Sequence, residues 1–159
     1  MDHGPKKGSP GWVMFRGRYQ HTVDPKGRLS IPAKFRDVLA GYEGPLVVVP
    51  NEIALEVYPF QEWERQERRI SEQSQFNAEV RKIGRLYISR AKEVELDGAG
   101  RILLPPDSRQ HAGLVKDVTL VGPGRPFFEV WDRPRFEEYE RSNGEGLPSL
   151  FERLAQLGV

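Results

Sequence analysis

Apolar and polar positions alternate over Phe15–Val23 and again over Ile88–Leu96. β-Branched and aromatic side chains are frequent in both, which predicts a strand at each place. Each strand runs into turn chemistry. Asp24-Pro25-Lys26-Gly27 has Asp first, Pro second and Gly at the exit, and Asp97-Gly98-Ala99-Gly100 repeats the arrangement with two glycines. Short return strands follow at Leu29–Ile31 and Ile102–Leu104. Pro32 and Pro105 then stand where helices begin, since proline suits a first helical turn. The spacing predicts short helices over Pro32–Leu39 and Pro105–Ala112, closed by Gly41 and Gly113. Two more strands follow in each half: Leu46–Val49 and Leu55–Tyr58 in the first, Val118–Val121 and Phe128–Trp131 in the second. Turns are expected around Asn51-Glu52 and around Gly122-Pro123-Gly124.

The chain therefore writes one frame twice. Val23–Arg36 reads VDPKGRLSIPAKFR and Leu96–Arg109 reads LDGAGRILLPPDSR. A repeat of this length, present twice, points to two copies of one small module rather than to a solenoid. One copy alone is close to the size at which a domain struggles to bury enough apolar surface, so two copies sharing a core is the expected solution. Helical periodicity fills the remainder. Between the copies, Trp63, Ile70, Phe76, Val80, Ile83, Leu86 and Tyr87 predict helices at 60–73 and 77–88. After the second copy, helices are expected at Pro134–Arg141 and Pro148–Gln156 with a break at Ser142–Gly146.

Composition narrows the class. The 159 residues are 38% hydrophobic and 30% charged, which is globular. The longest aliphatic run, Leu46–Val49, is far too short to span a bilayer. No cysteine is present, which excludes disulfides and thiolate metal sites and fits a cytosolic protein. Met1–Val13 is rich in Gly, Pro and Lys, lacks the apolar stretch of a secretory signal, and is expected to be a disordered extension, with Met14 an alternative start. Catalysis finds no support. His3, His21 and His111 lack metal-ligand spacing, the Gly122–Pro126 run lacks the Lys and Ser or Thr of a phosphate loop, and no nucleophile motif surrounds any serine.

Phe15-Arg16-Gly17, the frame Asp24-x-x-x-Arg28 through Pro32 to Arg36, and Asp97-Gly-Ala-Gly-Arg101 closely resemble the MraZ family of bacterial regulators, from about Met14 onward. The extension before Met14 and Pro106 after Pro105 depart from the family pattern. The resemblance implies an α+β, mainly β fold. Two tandem SpoVT/AbrB-type modules with swapped hairpins would form a pseudo-two-fold half-barrel with flanking helices. It implies modules at residues 18–60 and 90–133, a helical connector at 61–89 and a helical tail at 134–159. It further implies a cytoplasmic, nucleoid-associated homo-oligomeric ring. Such a ring binds short direct repeats of double-stranded DNA in the promoter of the division and cell-wall gene cluster, usually as a repressor. No cofactor, metal, membrane or small-molecule substrate is implied.

Net charge is only +1, so local charge must identify a polyanion partner. Phe15–Arg36 carries Arg16, Arg18, Lys26, Arg28, Lys34 and Arg36 against Asp24 alone. Ile88–Arg109 carries Arg90, Lys92, Arg101 and Arg109 against Glu93, Glu95, Asp97 and Asp107. The first copy is thus the expected DNA-facing module and the second chiefly its folding partner, with Lys92 offset by Glu93 and Glu95. Arg16, Arg18, Lys26, Arg28 and Lys34 are the expected DNA contacts. Arg28 stands where a strand leaves the turn, placed for base edges and oriented by Asp24. Asp24, Gly27, Arg36, Asp97, Gly100, Arg101 and Arg109 are the expected shaping residues, because they recur in a copy without positive charge. The mixed run Glu62–Arg69 is expected to be a solvated helix face, and Tyr58, Trp63 and Trp131 to be core. A ring-forming assembly protein whose main partner is another protein is the alternative reading. An antitoxin of the AbrB type fits less well, since those usually carry one module.

Overall fold

The computed structural model describes residues 14–159, and the expected extension Met1–Val13 lies outside the described residues. The first half runs β1 (Phe15–Thr22), β2 (Arg28–Ser30), α1 (Ala33–Leu39), β3 (Leu46–Pro50), β4 (Leu55–Pro59), α2 (Phe60–Ser71) and α3 (Ala78–Leu86). A 3-10 turn at Ile88–Arg90 leads to β5 (Lys92–Val94), β6 (Arg101–Leu103), α4 (Pro106–Ala112), β7 (Asp117–Arg125), β8 (Phe128–Asp132) and α5 (Arg133–Asn143). A second 3-10 turn, Gly144–Gly146, precedes α6 (Leu147–Gln156).

Six strands form one antiparallel sheet in the order β1-β7-β8-β4-β3-β5, and β2 pairs with β6 in a separate ribbon. The order exchanges the copies. β1 of the first copy lies beside β7 of the second, and β5 of the second lies beside β3 of the first. β4 and β8 meet in the middle, so exchanging the copies leaves the order unchanged. This is the swapped, pseudo-two-fold arrangement that the family resemblance implies, and the shared core is the one expected from the doubled frame. The sheet stays open, with β1 and β5 as its edges.

The ribbon and helices α1 and α4 close one face of the sheet. Leu29, Ile31, Phe35, Ile102 and Leu104 meet Phe15, Val48, Leu55, Val57, Leu120, Phe128 and Val130 in a single core. The rings of Phe15, Phe35 and Phe128 lie 4.8 to 5.3 Å apart. Each fully buried ring contributes roughly 1.5–3 kcal/mol. The opposite face is covered by helices. Val47, Val49 and Tyr58 pack on Trp63 of α2, and Ala54 and Trp131 pack on Phe136 of α5. Burial on both faces explains the uninterrupted apolar run Leu46–Val49. On the midline, Glu56 faces Glu129 across β4 and β8, and Asn51 Nδ2 donates to both at 3.1 and 3.3 Å. Burial raises the Glu129 carboxyl above its ordinary range, with Glu56 adding to the rise.

Four local expectations need correction. Ile88–Leu96 is not one strand. Tyr87 is fastened by its hydroxyl to Glu56 at 2.5 Å, the chain turns through Ile88–Arg90, and β5 has only three residues. Gly122-Pro123-Gly124 is not a turn but lies within β7, which pairs with β1 as far as Arg125. A Cβ at Gly122 would lie 2.3 Å from the Arg16 nitrogen, so glycine is needed there by close approach of the two strands at a bulge. Gly41 does not close α1 in the left-handed conformation. Helix α1 ends on right-handed Ala40, and Gly44 takes the positive φ instead, whereas Gly113 closes α4 at φ +65° as expected. Finally, Glu62 is buried rather than solvated, because Tyr42 donates to it at 2.8 Å and Arg65 at 3.1 Å.

Candidate nucleic-acid interface

The two Asp-x-x-Gly-Arg turns are built by the same bonds. Asp24 Oδ1 accepts from the backbone N–H groups of Lys26 and Arg28, both at 2.9 Å, and Gly27 N–H donates back to the Asp24 carbonyl at 2.9 Å. Asp97 Oδ1 accepts from Ala99 at 2.9 Å and Arg101 at 3.0 Å, and Gly100 N–H donates to the Asp97 carbonyl at 3.0 Å. Aspartate is the side chain that closes such a loop, because its short arm reaches the backbone two residues on. The donated backbone N–H of the following arginine holds each carboxyl below its usual range. The second carboxylate oxygen then grips the arginine itself: Arg28 Nε donates to Asp24 Oδ2 at 2.6 Å, and Arg101 Nε to Asp97 Oδ2 at 3.4 Å.

The recurring second arginine works across the copies. Arg36, on α1, donates through Nε to the Ile31 carbonyl at 3.1 Å and lies over Gly100, where an added Cβ would come within 2.9 Å of it. Arg109, on α4, donates to the Leu104 carbonyl at 3.2 Å and lies over Gly27, where an added Cβ would come within 2.8 Å. Backbone bonds cross in the same way, Ile31 N–H to the Gly100 carbonyl and Leu104 N–H to the Gly27 carbonyl, each 2.9 Å. Each turn is therefore clamped by the other copy's helix. The spacing of the frame contains this partnership, but nothing in the sequence says that the partner is in the other copy.

The expected DNA contacts divide into two places. Lys26 is exposed at the first turn and makes no ion pair among the described residues. Arg28 begins β2, and the register Arg28↔Leu103, Leu29↔Ile102, Ser30↔Arg101 sets β2 against β6. Leu29 and Ile102 point into the core, so Arg28, Ser30, Arg101 and Leu103 share the outward face. Lys34 is exposed on α1, two residues before the clamping Arg36. Arg16 and Arg18 are not brought to this turn. Both lie on β1, with Arg16 eight residues before Asp24, about 26 Å of extended chain. Arg18 is engaged there by α5: it pairs with Glu140, and its guanidinium stands 4.9 Å from the centre of the Phe136 ring. In the second copy Lys92 pairs with Asp107 at 2.8 Å, not with Glu93 or Glu95. Exposed Leu103, which no sequence signal singles out, stands directly opposite Arg28.

Among the described residues, no group of His, Asp and Glu has the arrangement of a metal site, and no helix is long and apolar enough to cross a membrane. The family model for the MraZ protein matches the chain twice, over residues 14–86 and 87–157. A transcriptional regulator MraZ from Acetivibrio thermocellus is 38% identical over 146 residues, covering 92% of this chain and all of that protein. One from Escherichia fergusonii is 39% identical, covering 90% of this chain and 95% of its own. One from Thioalkalivibrio sulfidiphilus is 47% identical over 121 residues, 75% of this chain and 80% of its own. These relatives are named as regulators and not as enzymes. With both halves of the fold matched by the family and whole-length relatives at this identity, the chain belongs to the MraZ family.

Proposed function

We propose that this protein is a sequence-specific DNA-binding transcriptional regulator. It acts as a ring-like homo-oligomer, cytoplasmic and nucleoid-associated, on short direct repeats in its own promoter. There it represses the division and cell-wall gene cluster. The observation that carries the reading is the outward face of the β2–β6 ribbon. It presents Arg28 beside an unpaired Lys26, with the Arg28 fork oriented through Nε by Asp24 and its two terminal nitrogens without hydrogen bonds among the described residues. A two-stranded ribbon fits the major groove, and an arginine fork reads guanine there. Lys26, Lys34 and Arg16 serve as phosphate contacts, and Arg18 joins them only by leaving Glu140. The relatives are named transcriptional regulators, which supports the regulator part of the reading.

The ring has its own support. On α6, Leu147, Leu150, Phe151 and Leu154 form one exposed stripe, and Ile83 and Leu86 of α3 are exposed as well. Two separate apolar faces on one chain suit head-to-tail association, which closes into a ring when the rotation between successive copies closes. Repetition of a modest contact around such a ring then supplies affinity.

Footprinting on the region upstream of the protein's own gene tests the proposal. Protection of regularly spaced short repeats is expected, lost steeply as salt rises. Stable rings that protect no sequence would instead favour an assembly protein whose partner is another protein.

A further inference from the structure

We propose that Leu103 is a base-reading residue, packing against a thymine methyl group in the major groove next to the base read by Arg28. This rests on the DNA-binding reading and adds a specificity determinant to it. Leu103 is 58% exposed, although its chain neighbours Ile102 and Leu104 are fully buried. It stands directly across the ribbon from Arg28, where cross-strand Cβ atoms lie about 4.5–5.5 Å apart. An exposed leucine gains nothing beside a phosphate. Among the base edges of the major groove, only thymine offers a methyl group, and an apolar side chain is its complement. Lys26 lines the same shallow depression as Leu103, with Glu93 and Glu95 along it.

The pseudo-two-fold partner of Leu103 is Ser30, opposite Arg101. One end of the ribbon therefore carries Arg28 with leucine, and the other carries Arg101 with serine. A symmetric ribbon reads a palindrome, and one with unlike ends reads a directed sequence. Unlike ends suit repeats that all point the same way.

The test uses the duplex protected in the footprint, with each thymine replaced in turn by deoxyuridine, which removes only the methyl. Wild-type protein and Leu103→Ala are compared on each duplex and on a scrambled one. Wild-type binding is expected to fall about fourfold for each methyl lost at one position of the repeat. Leu103→Ala should bind the unmodified duplex about fourfold more weakly per engaged protomer and ignore that substitution. Melting temperature and oligomer size should match wild type, because the side chain is not in the core. A wild-type protein indifferent to every deoxyuridine, or a variant as sensitive as wild type, overturns the assignment while the regulator reading stands. A variant that loses its oligomer overturns it too, placing Leu103 in a protein interface. If wild type does not prefer the protected duplex to the scrambled one, the regulator reading itself fails, and this inference with it.

Discussion

At the first turn, Asp24 holds the Arg28 fork at 2.6 Å, Lys26 stands free at the tip, and Arg109 covers Gly27 from the other copy. At the second, Asp97 holds Arg101 at 3.4 Å, alanine replaces the tip lysine, and Arg36 covers Gly100. Glu93 and Glu95 precede the second turn, where the first has Gln20 and Thr22. The backbone bonds are the same. What differs is charge at the tip and the residue across the ribbon, Leu103 for Arg28 and Ser30 for Arg101. A duplicated module thus keeps one scaffold, because each half braces the other, and is free to vary the outward face. The Asp–Arg pair cannot by itself distinguish a DNA-reading copy from a bracing one, since both copies have it.

The sharpest way to separate the copies is to remove each arginine fork. Arg28→Ala should lower binding to the protected duplex by on the order of 10- to 100-fold for each engaged protomer, through loss of a bidentate base contact. Arg101→Ala should lower it far less. In both variants the aspartate still accepts two backbone N–H groups, so the turns remain closed. Gel-shift titration with thermal melting as control measures both. Equal losses from the two substitutions would make the ribbon a symmetric reader and erase the distinction. If Arg28→Ala unfolded the protein, its arginine would belong to the scaffold.

Much of this fold was legible because the signal was written twice. Prolines at equivalent positions, a turn aspartate with a glycine three residues on, and apolar runs in the same order place both Asp turns, both short helices and the inner strands, but not the pairing of each return strand with the other copy's. Legibility fails where the copies diverge. Ile88–Leu96 has the composition of a strand, but Tyr87 is tied to Glu56 and the chain bends before β5. Gly122 and Gly124 have the composition of a turn, and they serve a bulge because β1 comes against the Gly122 Cα. At the candidate interface, local spacing shows the Asp24–Arg28 pairing, four residues apart across a turn. It does not show the contacts of Arg36 with Gly100 or of Arg18 with Glu140, which depend on which copy or helix folds against which strand. Leu103 was invisible for a related reason: only pairing with Arg28 distinguishes it from any other strand leucine.

The shared scaffold can be challenged directly. Gly27 and Gly100 have φ of +90° and +77°, and a Cβ on either would press into a clamping arginine. Gly27→Ala and Gly100→Ala should each destabilise the protein by about 1–3 kcal/mol, the range for a non-glycine residue held at an unfavourable backbone conformation. Gly98→Ala is the matched control, with no atom within 4 Å of an added Cβ and no positive φ. Urea denaturation should place the first two together and the third near wild type. A Gly100 variant as stable as the Gly98 variant, with the Gly27 variant impaired, would show that the second turn is not braced as the first is.

The smallest effect concerns the free lysine. Each phosphate neutralised contributes a slope of about −0.9 to log affinity against log salt. Lys26 makes no ion pair among the described residues, so a phosphate is available to it without loss of an internal partner. Lys92 already pairs with Asp107 at 2.8 Å, and to reach DNA it would have to give that up. Exposed pairs of this kind contribute little to stability, about 0–1 kcal/mol, so Lys92→Ala should leave the fold intact and test binding alone. Lys26→Ala should flatten the slope by about 0.9 for each protomer engaged and weaken all sequences alike, because phosphate contacts carry no base information. Lys92→Ala should leave the slope unchanged. Titrations across several salt concentrations, on the protected and the scrambled duplex, measure both quantities. Should Lys92→Ala flatten the slope as much as Lys26→Ala, the duplex must reach across the second copy as well. The charge difference between the copies would then say nothing about which of them faces DNA.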